Sequence, residues 1–575
     1  MNVIGINIGH DSGVTLISNK KVLFASNEER YSREKMHVGF PELALRDLLS
    51  NFKLPIDIVA VEGKAILPLR NSTQSKNSGD KLRFDRLQSN VWDSVGLTRS
   101  LIGTNTGGIM IQKAAKILQA NRRKDLGRQI ASIIGTDSRI VFVDHHEAHI
   151  ASSTLASPIL KNGLALSFDA SGEGFCSKVA KYSNNTLTFQ NNFSVPSYFS
   201  PANLYKNITS LLGYRPLRHE GKITGLAAFG DSSVTAEYFN KKIGFDNDRK
   251  RFFNKIGYDS ITENMSWLLE EFSKEDIAAG LQSSVENTVT NYVSFLIEEI
   301  GDKSEGNLFL SGGLFANVKL NQKILELKGI KDVFVAPNMG DGGLSLGAAA
   351  MFVPDFSAPA NMYLGTDVAK TKTLVRPDSS KYDVCEIEEI EIASRIASLL
   401  VEKKIVAIAR GRMEFGPRAL CNRSILYSAQ DKSVNTWLNI KLKRTEFMPF
   451  APVVRDIDLE KFFAVDSFSA SYEYMTLTTP CKDITTQVAP AIVHVDNTAR
   501  PQIVKRNSNP LMYEILSEYE KLTNNGILVN TSFNMHEEPI VRTSDEAIQS
   551  FIASDLDVLL LNNTLYSKKS SSVKK

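Results

Sequence analysis

Cysteine is scarce in this chain: four residues among 575, and no two of them are close in sequence. This scarcity excludes a disulfide framework and a zinc knuckle, and it favours a reducing, cytoplasmic environment. Long apolar runs are also lacking, since none approaches the roughly 18 to 20 residues that a membrane-spanning helix needs. The N-terminus reads as a strand without an export signal. We therefore expect a cytoplasmic protein that does not bind a membrane.

Net charge is small as well, +3 at neutral pH, but the positive charge is concentrated in one segment. Residues 64–128 contain thirteen Lys or Arg and four Asp, an excess of nine positive charges. Two interpretations of this basic segment stay open. It is either a solvated insertion, as charge runs usually are, or a surface for an anionic substrate such as a phosphorylated metabolite, a nucleotide or a nucleic acid.

Histidine is scarce too, yet three of the eight histidines fall in Asp144-His-His-Glu-Ala-His149. The preceding run 140–143 is apolar and β-favouring, and Asp144 is a typical helix N-cap, so a strand should lead directly into a helix. His145 and His149 would then share one helix face, at the spacing with which two imidazoles bind one metal ion. His146 should point elsewhere. The alternative is a helix that merely carries surface histidines.

Two histidines do not complete a metal shell, and acids at the ends of other predicted strands offer further ligands. Asp169 follows the strand-like run 163–168, and Asp341 lies among glycines after the strand-like run 333–336. Open α/β sheets place their sites at such strand ends. We predict one metal site with four ligands: His145, His149, Asp169 and Asp341.

The chain also contains a repeated hairpin. Residues 3–17 predict two strands around a Gly-His-Asp-Ser-Gly turn, and residues 163–174 repeat the strand, the acid and the glycine turn. This repeat indicates the internal duplication of an actin/hexokinase-type ATPase core. The double glycine Gly312-Gly313 follows a further predicted strand, where bare backbone admits a nucleotide or a phosphate.

Beyond a predicted linker at 354–361, basic residues recur beside glycine and proline turns and small polar residues at predicted strand ends. Such residues suit a triphosphate or acyl-phosphate site, although each arginine taken singly is more often part of a surface ion pair. The candidates are Arg412, Arg418, Lys441, Lys443, Arg444, Arg500 and the run 529–534.

Together these motifs resemble the O-carbamoyltransferases of antibiotic and nodulation-factor biosynthesis, of the nebramycin (tobramycin) and cephamycin type. The resemblance covers nearly the whole chain, in the family's order. Its motifs are Gly9-His10-Asp11-Ser12, Glu28-Glu29-Arg30, His145-His146-Glu147-Ala148-His149, residues 169–173 and 221–230, Ser311-Gly312-Gly313, Gly416-Pro417-Arg418-Ala419-Leu420, Pro449-Phe450-Ala451-Pro452 and residues 530–534.

The resemblance implies an α/β fold of two domains. Residues 1–355 would form a duplicated actin/hexokinase-like domain, similar to the tRNA threonylcarbamoyl-transferring ATPases, with the basic insertion at about 64–130. Residues 372–570 would form a YrdC-like domain. In that domain carbamoyl phosphate and ATP, with Mg²⁺, would form a carbamoyl-adenylate. The N-terminal metal site, with Fe²⁺, would then pass the carbamoyl group to an acceptor hydroxyl. The sequence leaves a homodimer open and does not decide the oligomeric state.

The resemblance also implies residue roles. His10 and Asp11 would activate the acceptor, and Lys35 would join them as a catalytic cation near the carbamoyl phosphate. The phosphate- and nucleotide-binding positions would be Lys222, Gly225, Gly312, Gly313, Asn317, Arg418, Lys443, Arg500, Asn530 and Ser532. Many family members have Arg where this chain has Met448, which leaves one phosphate contact to Lys443 or Arg444.

Two other functions stay open at the level of the sequence. The basic segment would suit a nucleotide or nucleic-acid acceptor and a threonylcarbamoyl-like modification. A non-catalytic ATP-binding protein of the actin class is the second alternative, and the retained metal set argues against it. The acceptor is otherwise expected to be a small hydroxylated molecule, with or without phosphate.

Overall fold

The computed structural model describes residues 1–63, 120–135, 137–256, 265–301, 306–443, 450–465 and 468–569. Within these ranges, three large β-sheets are covered by helices, so the predicted α/β class is confirmed. In the same ranges, no helix has both the length and the apolar character needed to cross a bilayer. Most of the basic segment 64–128 lies outside the described residues, as do Arg444 and Met448.

The N-terminal region, residues 1–350, contains the first two large sheets. Its strands are β1 Asn2–Asn7, β2 Gly13–Ser18, β3 Lys21–Asn27, β4 Ile58–Glu62, β5 Arg139–Val143, β6 Asn162–Gly172, β7 Phe175–Ser183, β8 Thr186–Phe189, β9 Val195–Pro196, β10 Ile243–Asp246, β11 Arg251–Asn254, β12 Asn307–Ser311 and β13 Asp332–Val335. Its α-helices are α1 Glu29–Ser32, α2 Glu42–Asn51, α3 Ala120–Ile134, α4 His145–Thr154, α5 Pro201–Leu211, α6 Glu220–Leu226, α7 Ser232–Lys242, α8 Leu268–Glu271, α9 Lys274–Ile300, α10 Val318–Leu325 and α11 Leu344–Ala350.

These two sheets share one topology. The first has the strand order β3-β2-β1-β4-β5, and the second has the equivalent order β8-β7-β6-β12-β13. In each sheet three consecutive antiparallel strands come first, and two later strands then join in parallel beside the first of them. The duplication that the repeated hairpin predicted is therefore confirmed at the level of strand order and direction.

Two helices pack between the paired sheets and bring the predicted ligands together. Helix α11 packs on β1, β2 and β4 of the first sheet, and α4 packs on β6, β7 and β12 of the second. The two helices also contact each other, and a Cβ atom on Gly347 would lie only 1.8 Å from the carbonyl oxygen of Ala148. Only glycine permits so close an approach, which holds the start of α4 next to the segment that leads into α11.

The C-terminal region, residues 382–568, is built on the third large sheet, of order β14-β23-β22-β15-β16-β21-β17-β20. Its strands are β14 Tyr382–Glu386, β15 Val406–Ala409, β16 Arg423–Ser428, β17 Ala451–Arg455, β18 Thr479–Pro480, β19 Thr498–Ala499, β20 Gln502–Val504, β21 Leu528–Ser532, β22 Val558–Leu561 and β23 Thr564–Lys568. Its α-helices are α12 Ile392–Val401, α13 Val434–Lys441, α14 Leu459–Phe462, α15 Asp483–Val488, α16 Pro510–Thr523 and α17 Ser544–Ser554. The predicted linker 354–361 contains neither helix nor strand.

Arginines of α1 and its C-cap dock the N-terminal region onto the C-terminal one. Buried Arg30 donates to the carbonyl of Gly416 at 3.0 Å. Arg33 donates to the carbonyls of Pro539 and Ile540, at 2.7 and 2.9 Å. Backbone carbonyls of the C-terminal region thus accept hydrogen bonds from guanidinium groups of the N-terminal region. We call this polar contact between the two regions the seam.

Candidate functional site

The helix that begins at His145 is formed as the sequence predicts. Asp144 caps it, since its Oδ1 accepts the backbone N–H groups of His146 and Glu147 at 3.0 and 3.1 Å. His145 and His149 are both fully buried, so the surface-histidine alternative is wrong. His146 points elsewhere, as predicted, and its Nε2–H donates to the carbonyl of Phe175 at 2.9 Å.

The four predicted metal ligands lie together. Nε2 of His145 is 3.2 Å from Oδ2 of Asp169, at the end of β6. Nε2 of His149 is 3.3 Å from Oδ1 of Asp341, which begins a 3₁₀ turn after β13. One ligand atom from each of the four residues lies within 4.8 Å of the others. Both sheets therefore contribute to one buried cluster.

This cluster fits a divalent cation. In the described part of the chain, neither ring nitrogen of buried His149 has a hydrogen-bond partner. An unpartnered buried imidazole is costly, and so is a pair of adjacent buried carboxylates without a cation. A metal ion placed among the four side chains would relieve both costs. The mixed imidazole and carboxylate donor set suits a first-row divalent metal.

Glu62, which the sequence reasoning missed, extends the cluster on the other side of His145. Its Oε1 is 2.8 Å from Nδ1 of His145, and both residues are fully buried. With Nδ1–H donating to Glu62, the lone pair of Nε2 faces the other ligands. The sequence contains a signal for Glu62, because it directly follows the apolar, β-favouring run 58–61, as Asp169 follows the run 163–168. Gly172 also matters here, since a Cβ atom on it would lie 2.1 Å from the His145 ring.

His10 joins the predicted acceptor-activating turn to the metal cluster. Its Nε2 is 3.1 Å from Oδ2 of Asp341, and its Nδ1 is 3.1 Å from Oδ2 of Asp11. The ring is half-buried, so it borders the cluster and still reaches solvent. Asn7, a second residue that sequence reasoning missed, donates to the carbonyls of Asp341 and His10 at 2.8 and 3.2 Å.

The double glycine after β12 lies directly beside the metal cluster. Gly312 has φ +101°, and a Cβ atom on it would lie 2.2 Å from the carbonyl oxygen of Phe168. A Cβ atom on Gly313 would lie 3.1 Å from Oδ1 of Asp169. Asn317 has a local role that the sequence did not predict: it caps α10 and exchanges hydrogen bonds with Gln282 at 2.8 and 3.1 Å.

The other N-terminal candidates lie on α6 and at the seam. Lys222 and Gly225 are both buried on α6. Lys35 is exposed, and its carbonyl accepts a hydrogen bond of 2.9 Å from Arg218. Its charge also contributes to lowering the pKa of Glu537 in the C-terminal region, which places Lys35 at the seam between the regions.

In the C-terminal region, three predicted residues come together. Buried Asn530 donates to Oε1 of Gln502 at 2.5 Å and to the carbonyl of Ala419 at 3.3 Å, beside Arg418. Burial and the neighbouring charge of Arg418 lower the pKa of Arg500 well below its usual value. Within the described ranges no carboxylate lies within ion-pair distance of Arg500, so Arg500 is not part of an ordinary surface ion pair.

Two further predicted residues of the C-terminal region are Ser532 and Lys443. Ser532, at the end of β21, donates to Oδ1 of Asn534 at 2.5 Å. Lys443 is exposed, has a left-handed φ of 55° and directly precedes the segment 444–449, which lies outside the described residues.

Comparison with known proteins identifies the family. The N-terminal carbamoyltransferase domain matches residues 108–350, and the C-terminal carbamoyltransferase domain matches residues 397–568. The chain belongs to the carbamoyltransferase family. This carbamoyltransferase is 30% identical to the nodulation protein NolO of Bradyrhizobium diazoefficiens, over 75% of this chain and 80% of that one. It is 25% identical to the 3'-hydroxymethylcephem-O-carbamoyltransferase of Streptomyces clavuligerus, over 98% of this chain and 99% of that enzyme.

Among solved structures, the carbamoyltransferase matches HypF of T. kodakarensis with a TM-score of 0.34 and 13% identity, over 61% of this chain and 47% of that one. A likeness at this level carries no argument about the fold. The resemblance to the nodulation-factor and cephamycin enzymes is thus confirmed, and the chain is an enzyme of the carbamoyltransferase class.

Proposed function

We propose that this carbamoyltransferase is ATP-dependent and uses two sites in sequence. In the C-terminal site, carbamoyl phosphate, ATP and one water yield a carbamoyl-adenylate, phosphate and pyrophosphate. In the N-terminal site, the oxygen of an acceptor hydroxyl attacks the carbamoyl carbon, AMP leaves and the hydroxyl proton passes to a base. The observation that carries the proposal is the contact of His10 with Asp341, which puts a proton acceptor at the edge of the candidate metal cluster.

The C-terminal site would bind the anionic reactants through Arg418 and Arg500. Two neighbouring guanidinium groups repel each other, and the pKa of Arg500 is lowered first by burial and then by the charge of Arg418. A phosphate group bound between them would remove that repulsion, and guanidinium groups bind phosphate oxygens in a bidentate manner. Asn530 adds a buried amide beside them. We expect Mg²⁺ to accompany the nucleotide.

In the N-terminal site, His145, His149, Asp169 and Asp341 would hold the metal, with Fe²⁺ as the expected ion. When bound, such an ion supplies Lewis-acid polarisation of the carbamoyl carbonyl. Glu62 fixes the ring of His145 through the hydrogen bond at Nδ1.

His10 would accept the proton of the acceptor hydroxyl. The carboxylates of Asp11 and Asp341 lie on either side of its ring, each at 3.1 Å. Both would stabilise the positive charge that the ring gains on taking the proton. Their positions also fix the plane of the imidazole, so that it is oriented before the acceptor arrives.

The test is to incubate the purified chain with carbamoyl phosphate and ATP, and to measure pyrophosphate and AMP. Pyrophosphate release that requires carbamoyl phosphate supports the adenylate, and its absence contradicts it. Mass spectrometry of candidate acceptors then detects a carbamoyl gain. Aminosugars and other small hydroxylated molecules form one set, and nucleosides and nucleotides form the other.

The acceptor class depends on the basic segment, whose charge favours a phosphorylated or nucleotide acceptor as the second candidate. The described end of the segment gives one clue. Arg123 lies 3.9 Å from Glu173 and 4.9 Å above the ring of Phe142, so its charge faces the protein. The alternative of a non-catalytic ATP-binding protein is not retained, since the family is one of enzymes.

A further inference from the structure

Glu537 of the C-terminal region reaches across the seam to three groups of the N-terminal region. Its Oε2 lies 3.3 Å from Arg215 and 3.4 Å from Arg218, and its Oε1 lies 3.3 Å from Nε2 of His219. These three residues form the loop directly before α6. No other carboxylate among the described residues contacts three basic groups of the opposite region.

The hydrogen bonds around His219 and Arg218 orient both side chains toward Glu537. Nδ1 of His219 accepts the backbone N–H of Arg215 at 3.2 Å, so Nε2 carries the hydrogen that Glu537 accepts. Arg218 uses its second nitrogen to donate to the carbonyl of Lys35 at 2.9 Å. Glu537 is therefore connected through Arg218 to the backbone of Lys35. Burial raises the pKa of Glu537, but the hydrogen bond from His219 and the charges of Lys35, His219 and His536 outweigh it and lower that pKa.

The backbone conformation at Glu537 does not favour a glutamate at this position. Its φ is +62°, a left-handed conformation that glycine adopts freely and glutamate adopts only at a cost. A glycine would serve the turn better. Glycine would lack the carboxylate, whose three shortest ion-pair contacts lead to the opposite region.

We propose that Glu537 is a positioning residue that clasps the loop 215–219 and, through Arg218, Lys35 to the C-terminal region. The loop leads into α6, which carries Lys222, and the segment that bears Glu537 follows β21, which carries Asn530 and Ser532. The clasp thus connects segments that adjoin both candidate sites. This consequence rests on the proposed function, whereas the clasp itself rests on the contacts alone.

Partly exposed ion pairs of this length are individually weak, so the clasp is able to open and close. Stabilisation of the fold is not its main effect, since Arg30 and Arg33 already dock the regions nearby. A contact that opens readily beside two sites suits the passage of a reactive intermediate from one to the other.

Hydrogen exchange on the full chain tests the clasp directly. In Glu537→Gln we expect severalfold faster exchange in two separate segments, 214–222 and 533–541, because each segment restrains the other. Glu537→Gly should give the same gain in exchange without a lower unfolding temperature, since it also relieves the left-handed backbone. Glu538→Gln changes an exposed neighbouring glutamate and should leave exchange unchanged. Faster exchange in 533–541 alone would overturn the proposal.

Steady-state kinetics test the positioning role, with carbamoyl phosphate and ATP as the probes and pyrophosphate as the product. We expect Glu537→Gln and Arg218→Gln each to raise the KM for carbamoyl phosphate severalfold. The double variant should be no worse than Glu537→Gln alone, because Glu537→Gln already breaks the connection through Arg218. Additive effects would overturn the proposal. If the unmodified chain releases no pyrophosphate, the proposed function fails while exchange still decides the clasp.

Discussion

Oε1 of Glu62 lies 2.8 Å from Nδ1 of His145, and neither side chain is exposed to solvent. A carboxylate behind a ligating histidine fixes the ring and increases its basicity, and its removal typically weakens metal binding about 10- to 100-fold. We expect a loss of this size in Glu62→Ala. Glu62→Gln should lose less, because its amide oxygen still accepts from Nδ1–H. Competition with a chelator for Fe²⁺ measures both affinities, and unchanged affinity in Glu62→Ala would refute the orientation.

His146 and His149 offer a matched pair of buried histidines on one helix. His149→Asn should lose bound metal and carbamoyl transfer, because Nε2 of His149 faces Asp169 and Asp341 at 3.4 and 3.3 Å. His146→Asn should keep its metal and lose only stability, since its ring pairs with Ser167 and Phe175. Metal content and unfolding temperature separate the two outcomes. Equal metal loss in both variants would contradict the assigned ligand set.

Arg500→Gln should reduce pyrophosphate release by roughly 10- to 100-fold, because a hydrogen bond to a charged group contributes about 1.5 to 3 kcal/mol. Arg418→Ala should do the same, while transfer from separately supplied carbamoyl-adenylate survives. Arg410→Gln is the control, since Arg410 is already paired with Glu389. If adenylate formation and transfer fall together in Arg418→Ala, the two sites are not separate.

Glu28 should make stability depend on pH. It caps α2 by accepting the N–H groups of Leu43 and Ala44, and burial raises its pKa from 4.5 to about 7. Between those values the folded chain holds a proton that the unfolded chain releases, so this group's contribution to stability falls as pH rises. The difference amounts to roughly 3 kcal/mol.

Glu28→Gln removes that titration. The unfolding temperature of the unmodified chain, relative to Glu28→Gln, should therefore decline as the pH increases through this interval. Thermal unfolding at several pH values measures the trend. Parallel curves for the two proteins would show that the carboxyl group does not titrate there.

The basic segment should reveal the acceptor class. If it binds an anionic acceptor, apparent acceptor affinity should weaken as ionic strength rises, and neutralising changes should flatten that dependence. The changes are Arg83→Gln, Arg86→Gln and Arg122→Gln, with Arg123→Gln as the comparison because Arg123 faces Glu173. If the affinity of the unmodified chain ignores salt and all four variants behave like it, the segment is a solvated insertion and the acceptor is uncharged.

Much of the N-terminal site could be predicted because its signals are local. The strand before Asp144, the cap and the i to i+4 spacing of His145 and His149 all follow from a short stretch. Asp169 and Asp341 follow from one rule about strand ends. The same rule applies to Glu62, which follows the apolar, β-favouring run 58–61.

The seam could not be predicted in this way. Nothing adjacent in sequence indicates that Arg30 meets the carbonyl of Gly416, because this pairing depends on how two regions pack. The charged run that contains Arg30 has a composition typical of a surface, yet Arg30 is buried. The carboxylate of the adjacent Glu29, 2.9 Å away, compensates its charge, whereas the carbonyl of Gly416 comes from a distant loop that sequence patterns do not reveal. The contacts of Glu537 could not be predicted for the same reason, because its partners Arg215, Arg218 and His219 are distant in sequence.

The candidate metal ligands come from three separate segments, and Glu62, which orients His145, adds a fourth, so the site is spread between β4 and the turn after β13. A chain still emerging from the ribosome lacks Asp341 until most of the N-terminal region has been made. The site is thus assembled only by long-range closure, which is slow compared with local helix formation. If the cluster binds a metal as proposed, loading would follow the docking of both sheets, and the bound metal would then disfavour their separation. Metal uptake would therefore report, during synthesis, that the duplicated half of the molecule has reached its native state.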